Sequence, residues 1–153
     1  EGIDDSKKVS EKKRELLAKQ IKEKAICYVV EMIDEETIDK INILEATKLA
    51  MKRAIEKMTI KPDVVLVDAI SKLDVNTEIR GIIKGDALSY SIGCASILAK
   101  VERDNLMVKL AEEYPVYGFE KHKGYGTKAH IEAIREHGPC VYHRLSFLKF
   151  LDE

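Results

Sequence analysis

Apolar residues recur at helical spacing in four segments of the chain, and residues that commonly cap helices stand before three of them. Ser10, Asn42 and Thr127 are these caps, and Asn42 forms a capping-box pattern with Glu45. The predicted helices cover residues 11–24, 43–58, 89–113 and 128–137. Their inward positions are expected to include Leu16, Leu17 and Ile21 in the first helix, and Ile92, Ala95, Ala99, Leu106 and Leu110 in the longest one.

Three short segments instead have the composition of β-strands. Ala25–Met32 is rich in β-branched and aromatic residues, Val64–Val67 is a continuous apolar run, and Glu78–Lys84 has isoleucines around its centre. A continuous apolar run is typical of a strand that is buried on both faces of an α/β sheet. Strands that alternate with helices predict an α/β domain, although three strands are few for 153 residues.

Composition places the chain among ordinary globular domains. Of its 153 residues 45% are hydrophobic and 35% charged, so we expect one domain with one core and exclude a disordered chain. The longest uncharged run begins at Ala87 and ends before Lys100, which is too short to span a bilayer. No signal peptide is visible among the mixed charges of residues 1–24, and three widely spaced cysteines do not fit a disulfide framework. These features predict a soluble protein of the reducing cytoplasm.

The net charge of −1 argues against binding to nucleic acid by bulk charge alone, but the basic residues are unevenly distributed. Residues 1–24 carry eight Lys or Arg against six Asp or Glu. Residues 118–149 carry six against three, together with all four histidines. Both segments are candidates for contact with an acidic polymer. The alternative, which explains the charges equally well, is a solvated helix face in the first segment and a polar loop in the second.

Two aspartates follow two of the predicted strands. Asp68 ends the Val64–Val67 run, and Asp86 follows Lys84 and Gly85 after the next strand. Because ligands of open α/β sheets bind at the carboxyl ends of strands, we expect both carboxylates at one edge of the sheet. Carboxylates this close repel each other unless a cation lies between them, and oxygen ligands suit Mg²⁺ or Mn²⁺. The alternative is a helix cap or a turn at either position.

The segment His122–Lys128 has the sequence HKGYGTK, which combines glycines, lysines and an aromatic ring. Glycines on both sides of Tyr125 let the backbone approach a ligand closely. Lys123 can contact phosphate, and the ring can stack on a sugar or a base. A tight loop with a packed tyrosine is the alternative interpretation.

Two further groups of polar residues are weaker candidates. Ser96, Lys100 and Arg103, with Asp104, lie on successive turns of the longest predicted helix, where a solvent-exposed face explains them better than a phosphate site. Cys140 stands near His143, but no residue that would orient the pair is evident in the sequence. We therefore do not expect a cysteine nucleophile there.

Several longer motifs, taken in order, resemble those of the type 2 ribonucleases H, the ribonuclease HII family. The motifs of this sequence are DSKKVS with the following EKKRE (from Asp5), VLVDA (Val65–Ala69), KGD (Lys84–Asp86), ASILAKVERD (Ala95–Asp104), YPVYGF (Tyr114–Phe119), HKGYGT (His122–Thr127) and HRLSF (His143–Phe147). The resemblance extends over essentially the whole chain.

This resemblance implies a ribonuclease H-like α/β fold, with a mixed sheet flanked by helices. It also implies cleavage of the RNA strand of RNA–DNA hybrids and of ribonucleotides embedded in duplex DNA. The family uses four carboxylates and two divalent ions, so Asp68 and Asp86 correspond to the third and fourth carboxylates and would hold Mg²⁺ or Mn²⁺. Tyr125 matches the tyrosine that stacks on the deoxyribose beside the junction. Lys7 and Lys8 match a segment near the nucleic-acid backbone, and Lys123 is expected to bind there too.

One family motif does not occur in the sequence. The family's first two carboxylates lie in an Asp-Glu-x-Gly-Arg-Gly motif on the first strand, ahead of the Asp-Ser-Lys-Lys segment, and the 153 residues contain no such motif. We therefore expect residues 1–153 to form one ribonuclease HII-like domain that lacks the N-terminal β-hairpin and is inactive by itself. The alternatives are a non-catalytic fragment that binds nucleic acid and a fragment that self-associates. The full enzyme is expected to be a monomer without membrane contacts.

Overall fold

The computed structural model describes residues 9–151, which form seven α-helices, two β-strands and three short 3₁₀ turns. The helices are α1 (Glu11–Lys24), α2 (Glu35–Ile41), α3 (Ile43–Lys57), α4 (Gly85–Leu88), α5 (Tyr90–Glu113), α6 (Phe119–His122) and α7 (Lys128–His137). The strands are β1 (Val64–Asp68) and β2 (Glu78–Ile82), and the 3₁₀ turns are Pro115–Tyr117, Leu145–Phe147 and Lys149–Leu151. No helix in this part of the chain is both long and apolar enough to cross a bilayer.

The predicted long helices and two of their side-chain caps are confirmed. The Asn42 side chain accepts a hydrogen bond from the backbone N–H of Glu45 at 3.1 Å, as in a capping box. The Thr127 hydroxyl accepts one from the backbone N–H of His130 at 3.2 Å. Helix α7 ends at Gly138, whose positive φ of 73° suits glycine. Local sequence therefore determines where these helices start and stop.

Helix α2 is absent from the sequence-based predictions, although Asp34 caps its first turn. The carboxylate of Asp39 in this helix binds the 3₁₀ turn Leu145–Phe147. Its Oδ2 accepts from the backbone N–H of Leu145 at 2.8 Å, and its Oδ1 accepts from the N–H of Ser146 at 3.0 Å and from the Ser146 hydroxyl. These hydrogen bonds, that of the hydroxyl foremost, lower the pKa of Asp39 because they stabilise the carboxylate. Asp39 thus attaches α2 to the HRLSF motif.

Strands β1 and β2 pair in parallel, with Asp68 opposite Ile82. Parallel pairing brings the carboxyl ends of both strands to the same edge of the sheet. The expected burial of β1 on both faces is wrong, because Val67 is buried whereas Leu66 is 38% exposed. Within residues 9–151 the sheet has only these two strands.

The predicted strand Ala25–Met32 is wrong, since this segment forms neither strand nor helix. Ile26 is 88% exposed, and Cys27 Sγ lies 3.4 Å from the hydroxyl of Thr59. A β-forming composition produces a strand only where another strand pairs with it. No strand of the described residues pairs with this segment.

The chain divides into two compact units, each with its own hydrophobic core. One unit contains the chain up to Glu31 with Lys48–Val101, and the other contains Met32–Thr47 with the chain from Glu102 onward. The first core is formed by Val9, Leu17, Ala18, Ile97, Leu98 and Val101, and the second by Met107, Leu110, Ala111, Tyr117, Phe119 and Ile134. Each unit is assembled from separate stretches of sequence, and the single-domain organisation stays a prediction.

The predicted inward positions of α1 and α5 are only partly correct. Leu17, Ile92 and Leu110 are buried as predicted. The residues predicted to point inward but found exposed are Leu16, Ala95, Ala99 and Leu106. The buried stripe of α5 instead includes Ile97, Val101, Asp104 and Met107. This stripe has the same helical spacing as the predicted one but is offset along the sequence.

Candidate active site

Asp68 and Asp86 lie at the same edge of the sheet. Asp68 is the last residue of β1, and Asp86 lies in the first turn of α4, which begins shortly after β2 ends. The Oδ1 atom of Asp68 accepts a hydrogen bond from the N–H of Gly85 at 2.9 Å, so this carboxylate lies against the residue that precedes Asp86. Asp68 is exposed and Asp86 is half-buried. The sheet edge therefore presents two neighbouring aspartates, at least one of which faces solvent.

Gly85 allows the chain to approach Asp68 this closely. A Cβ atom added at Gly85 would lie 2.6 Å from Ile92 Cδ1 and 3.3 Å from Asp68 Cα, and the second atom belongs to the backbone. Lys84 has a left-handed backbone with a φ of 54°, which turns the chain from β2 into α4. The Lys-Gly-Asp sequence therefore supplies the turn, the close approach and the second carboxylate in three successive residues.

Gly85→Ala is expected to lower the free energy of unfolding by about 1–3 kcal/mol, because overpacking forces Ile92 and the backbone at Asp68 to move. The matched control is Gly126→Ala, since a Cβ atom at Gly126 would meet no atom within 4 Å. Urea unfolding followed by circular dichroism measures both variants. Equal stabilities of the two would show that the backbone at Gly85 is not tightly packed.

The two aspartates fit a hard divalent cation but are an incomplete set of ligands. Carboxylate oxygens are ligands that Mg²⁺ and Mn²⁺ prefer, and Asp68 can be reached from solvent. Among residues 9–151, however, no group of three or more His, Cys, Asp or Glu side chains is arranged to hold a metal ion. Asp68 and Asp86 would be two of the ligands of such an ion.

The backbone of Tyr125 is held on both sides while its ring remains exposed. The Tyr125 N–H donates to the carbonyl of His122 at 2.9 Å, and the Tyr125 carbonyl accepts from the N–H of Thr127 at 2.8 Å and from Nδ1 of His130 at 2.9 Å. Gly124 precedes it with a φ of 83°, a conformation that favours glycine. Tyr125 as a whole is 58% exposed, which does not support the alternative of a tightly packed tyrosine.

Basic side chains lie beside the turn that carries Tyr125. Lys123 directly precedes Gly124, and its ammonium group donates to a backbone carbonyl at 2.6 Å. The Nη2 atom of Arg103 lies 3.3 Å from the position that a Cβ atom would take at Gly124. Burial lowers the pKa of Arg144, and the positive charge of Arg103 lowers it further, as expected for guanidinium groups near each other. The turn thus combines an exposed ring with nearby positive charge.

The two weaker candidates have different outcomes. Asp104 is only 6% exposed, so the expectation of a solvent-exposed polar face is wrong at that position. Cys140 Sγ lies 3.2 Å from Nδ1 of His143, but burial raises the pKa of the thiol. A thiol in its neutral form is a poor nucleophile, and the expectation that this pair is not catalytic stays a prediction.

One contact of this region, between His130 and His143, was not predicted from the sequence. The Nε2 atoms of His130 and His143 lie 2.9 Å apart, and both side chains are buried. The only sequence signal was the concentration of all four histidines between residues 118 and 149. Lys7 and Lys8 lie outside the described residues, so their predicted contact with nucleic acid stays a prediction.

Solved structures share this fold. The ribonuclease H2 from Pyrococcus horikoshii OT3 superposes with a TM-score of 0.79 and 23% sequence identity, over 99% of this chain and 81% of that chain. The structure of the PCNA:RNase HII complex from Archaeoglobus fulgidus matches with a TM-score of 0.76 and 24% identity, again over 99% of this chain and 81% of that chain. These similarities define the class of fold and confirm the predicted α/β ribonuclease H-like architecture.

Sequence comparison then identifies the family. The family model described as Ribonuclease HII matches residues 1–150. The Ribonuclease HII of Caldicellulosiruptor bescii is 56% identical over 149 residues, which are 97% of this chain and 72% of that protein. The Ribonuclease HII of Idiomarina loihiensis is 50% identical over 147 residues, 96% of this chain and 79% of that protein. The chain belongs to the ribonuclease HII family, a family of metal-dependent ribonucleases H that act on RNA–DNA hybrids.

Proposed function

We propose that the protein, when completed by a strand that carries the Asp-Glu-x-Gly-Arg-Gly motif, cuts the RNA strand of RNA–DNA hybrids and also cuts 5′ of single ribonucleotides in duplex DNA, with two Mg²⁺ or Mn²⁺ ions. The observation that supports this most directly is the hydrogen bond from Gly85 N–H to Asp68 Oδ1, because it holds the Asp68 carboxylate against the backbone of the residue that precedes Asp86. Two carboxylates in this position favour a cation site, since without a cation they repel each other. When bound, the metal supplies activation of the attacking water and stabilisation of the leaving 3′ oxygen.

The exposed face around Tyr125 supports a role in holding the nucleic acid. We assign the Tyr125 ring to stacking on the deoxyribose beside the ribonucleotide, because it is rigidly attached and 58% exposed. Lys123 and Arg103 would contact phosphates, which position the duplex without reading its sequence. Lys7 and Lys8 would add further contacts to the backbone. The 2′-hydroxyl that distinguishes RNA from DNA would then be read by residues outside this face.

The cellular setting is part of the proposal. All three cysteines, Cys27, Cys94 and Cys140, are free thiols, which is typical of proteins in a reducing compartment. We therefore place the enzyme in the cytoplasm, where hybrids and misincorporated ribonucleotides arise during DNA replication and are removed by repair. The complete enzyme would act as a monomer.

The test of the proposed activity uses three labelled substrates of one sequence. They are an RNA–DNA hybrid, a DNA duplex with one ribonucleotide, and an all-DNA duplex. The enzyme is this chain with a strand that carries the Asp-Glu-x-Gly-Arg-Gly motif supplied ahead of Glu1, assayed with Mg²⁺ or Mn²⁺. We expect cleavage of the first two substrates, with incision 5′ of the ribonucleotide in the second. Equal cleavage of the all-DNA duplex would refute the proposal.

Tyr125→Ala in this completed enzyme is expected to weaken recognition of the ribonucleotide junction by about 1–3 kcal/mol, the contribution of one stacked ring. The loss should be larger for the duplex with one ribonucleotide than for the long hybrid. Ratios of kcat/KM on the two substrates measure the difference. The matched control is Tyr142→Ala, because Tyr142 is also partly exposed, at 42%, but lies outside the HKGYGT motif. An equal loss on both substrates would mean that the Tyr125 ring only packs against the protein.

A further inference from the structure

A chain of hydrogen bonds through two buried histidines ends at the backbone of Tyr125. It begins at Cys140, whose backbone N–H donates to Nδ1 of His143 at 3.0 Å. The Nε2 of His143 lies 2.9 Å from the Nε2 of His130, and the Nδ1 of His130 lies 2.9 Å from the carbonyl oxygen of Tyr125. His130 is 5% exposed and His143 is 7% exposed, so little water competes for these hydrogen bonds.

The end groups of this chain determine where each ring carries its proton. Since a backbone N–H can only donate, Nδ1 of His143 accepts from Cys140, and the proton of a neutral His143 is on Nε2. That proton is donated to Nε2 of His130. The ring of His130 must therefore carry its own proton on Nδ1. The Nδ1–H of His130 then donates to the Tyr125 carbonyl, which can only accept. Each donor meets an acceptor only if both rings are neutral and hold these particular tautomers.

The surroundings of the two rings favour their neutral forms. Burial lowers the pKa of both His130 and His143, and the charges of neighbouring imidazoles, His122 for His130 and His130 with His122 for His143, lower it further. The ring of His122 stacks on that of His130 with centroids 4.2 Å apart, and the ring of Phe119 meets His130 edge-on at 5.5 Å. A proton added to Nε2 of His130 would place two N–H groups against each other across 2.9 Å, and one added to Nδ1 of His143 would face the N–H of Cys140 at 3.0 Å.

His122 holds the same turn from its other side. The Nδ1 of His122 accepts the backbone N–H of Gly124 at 3.1 Å, so its proton is on Nε2, which donates to the carbonyl of Tyr117 at 2.6 Å. The carbonyl of His122 accepts the N–H of Tyr125 at 2.9 Å. The turn is therefore fixed by imidazoles both before and after Tyr125, and the exposed ring is attached to a backbone with little freedom.

We infer that His130 and His143 are positioning residues, which orient Tyr125 for the nucleic acid through the hydrogen bond from His130 Nδ1–H to the Tyr125 carbonyl. The inference rests on the proposed function, because it assigns the ring of Tyr125 to the ribonucleotide junction. Neither histidine touches the nucleic acid. They fix the direction of the Tyr125 backbone, so the ring is ordered before the ligand arrives and loses less freedom on binding.

Two substitutions of His130 separate this role from simple packing. In His130→Asn the side-chain amide nitrogen occupies nearly the place of Nδ1 and can still donate to the Tyr125 carbonyl. In His130→Gln the amide instead reaches the place of Nε2, so it can bind His143 but not Tyr125. Both variants remove the same aromatic ring from its contacts with Phe119 and His122. Both variants therefore lose the ring contacts, but only His130→Gln loses the hydrogen bond to the Tyr125 carbonyl.

The experiment uses the chain completed with the Asp-Glu-x-Gly-Arg-Gly strand, without divalent metal, and fluorescence anisotropy with two labelled DNA duplexes, one of which contains a single ribonucleotide. We expect the unmodified chain to prefer the duplex with the ribonucleotide. His130→Asn should keep this preference within about twofold, whereas His130→Gln should reduce it about 3- to 10-fold, as for one lost hydrogen bond. Equal reduction in both variants would mean that His130 is only a packing residue and would overturn the inference.

A second measurement on the same samples does not depend on nucleic acid. Imidazole ¹⁵N spectra at neutral pH should show the Nδ1–H tautomer for His130 and the Nε2–H tautomer for His143. The amide signals of Gly124, Tyr125 and Thr127 should move further in His130→Gln than in His130→Asn, because both variants lose the ring but only His130→Gln loses the hydrogen bond to the Tyr125 carbonyl. A cationic ring, or the Nε2–H tautomer at His130, would overturn the inference. If the spectra agree while the unmodified chain binds both duplexes equally, the junction role of Tyr125 fails and the positioning of its backbone stands.

Discussion

Asp68→Asn is expected to reduce metal-dependent incision about 10³-fold or more in the chain completed with an Asp-Glu-x-Gly-Arg-Gly strand. Asparagine keeps the size of the side chain, and its oxygen can still accept the hydrogen bond from Gly85, but it has no negative charge to hold a divalent ion. Several kcal/mol of transition-state stabilisation are lost with such a ligand, and about 1.4 kcal/mol corresponds to tenfold in rate. Affinity for the hybrid should change little, because basic side chains contact the phosphates.

The matched control for this substitution is Asp63→Asn. Asp63 is also exposed and stands just before β1, at the end of the strand opposite to Asp68. Initial incision rates with Mn²⁺ and anisotropy with an uncleavable hybrid should be measured for both variants. Full activity of Asp68→Asn would remove Asp68 from the proposed metal site, and equal losses in both variants would indicate a general effect of charge.

The chain of 153 residues tested by itself is expected to show no specific incision of hybrids or of ribonucleotide-containing duplexes. Asp68 and Asp86 supply two of the four carboxylates that the family resemblance implies, and Mg²⁺ requires nearly octahedral oxygen ligation. Exposed apolar residues near these aspartates, Ile83 at 78% and Leu88 at 74%, also favour self-association of the chain. The chain should be purified from a host without its own ribonucleases H. Incision assays then test the first expectation, and sedimentation velocity tests the second.

Supplying the motif-bearing strand to the same preparation is the positive control for this prediction. Incision should appear only when the strand is present, at the same site 5′ of the ribonucleotide. Robust incision by the chain alone would show that other carboxylates complete the metal site. Asp4 and Asp5 would then be the first candidates, and their substitution by asparagine would identify the ligand.

The parts of the fold that depend on local sequence could be predicted. Asn42 and Thr127 mark their helices because a cap acts within one turn, and the Val64–Val67 run locates β1 because its four residues are all apolar and three of them are β-branched. The predicted strand Ala25–Met32 failed for a different reason. Its composition suits a strand, but whether a partner strand lies beside it is decided by distant parts of the chain.

In the candidate site, too, the features that depend on local sequence could be predicted and those that depend on distant residues could not. Two strand-end aspartates predict a shared edge because parallel pairing requires it, and the hydrogen bond between Gly85 and Asp68 agrees with that expectation. The exposed ring of Tyr125 follows from its flanking glycines. The contact between His130 and His143 could not be predicted, because it joins α7 to a later turn and has no signature in residue spacing.

The attachment of α2 by Asp39 has a consequence for the order in which the protein folds. Its hydrogen bonds join residues that are 106 and 107 positions apart in the chain. Closing so long a loop costs conformational entropy, and the new hydrogen bonds stabilise the protein only after the loop has closed. Such long-range contacts therefore form after the contacts within single helices. On the ribosome, α2 emerges long before the turn that it binds has been synthesised. Helix α2 can therefore form its hydrogen bonds to Leu145 and Ser146 only after the HRLSF motif has been synthesised.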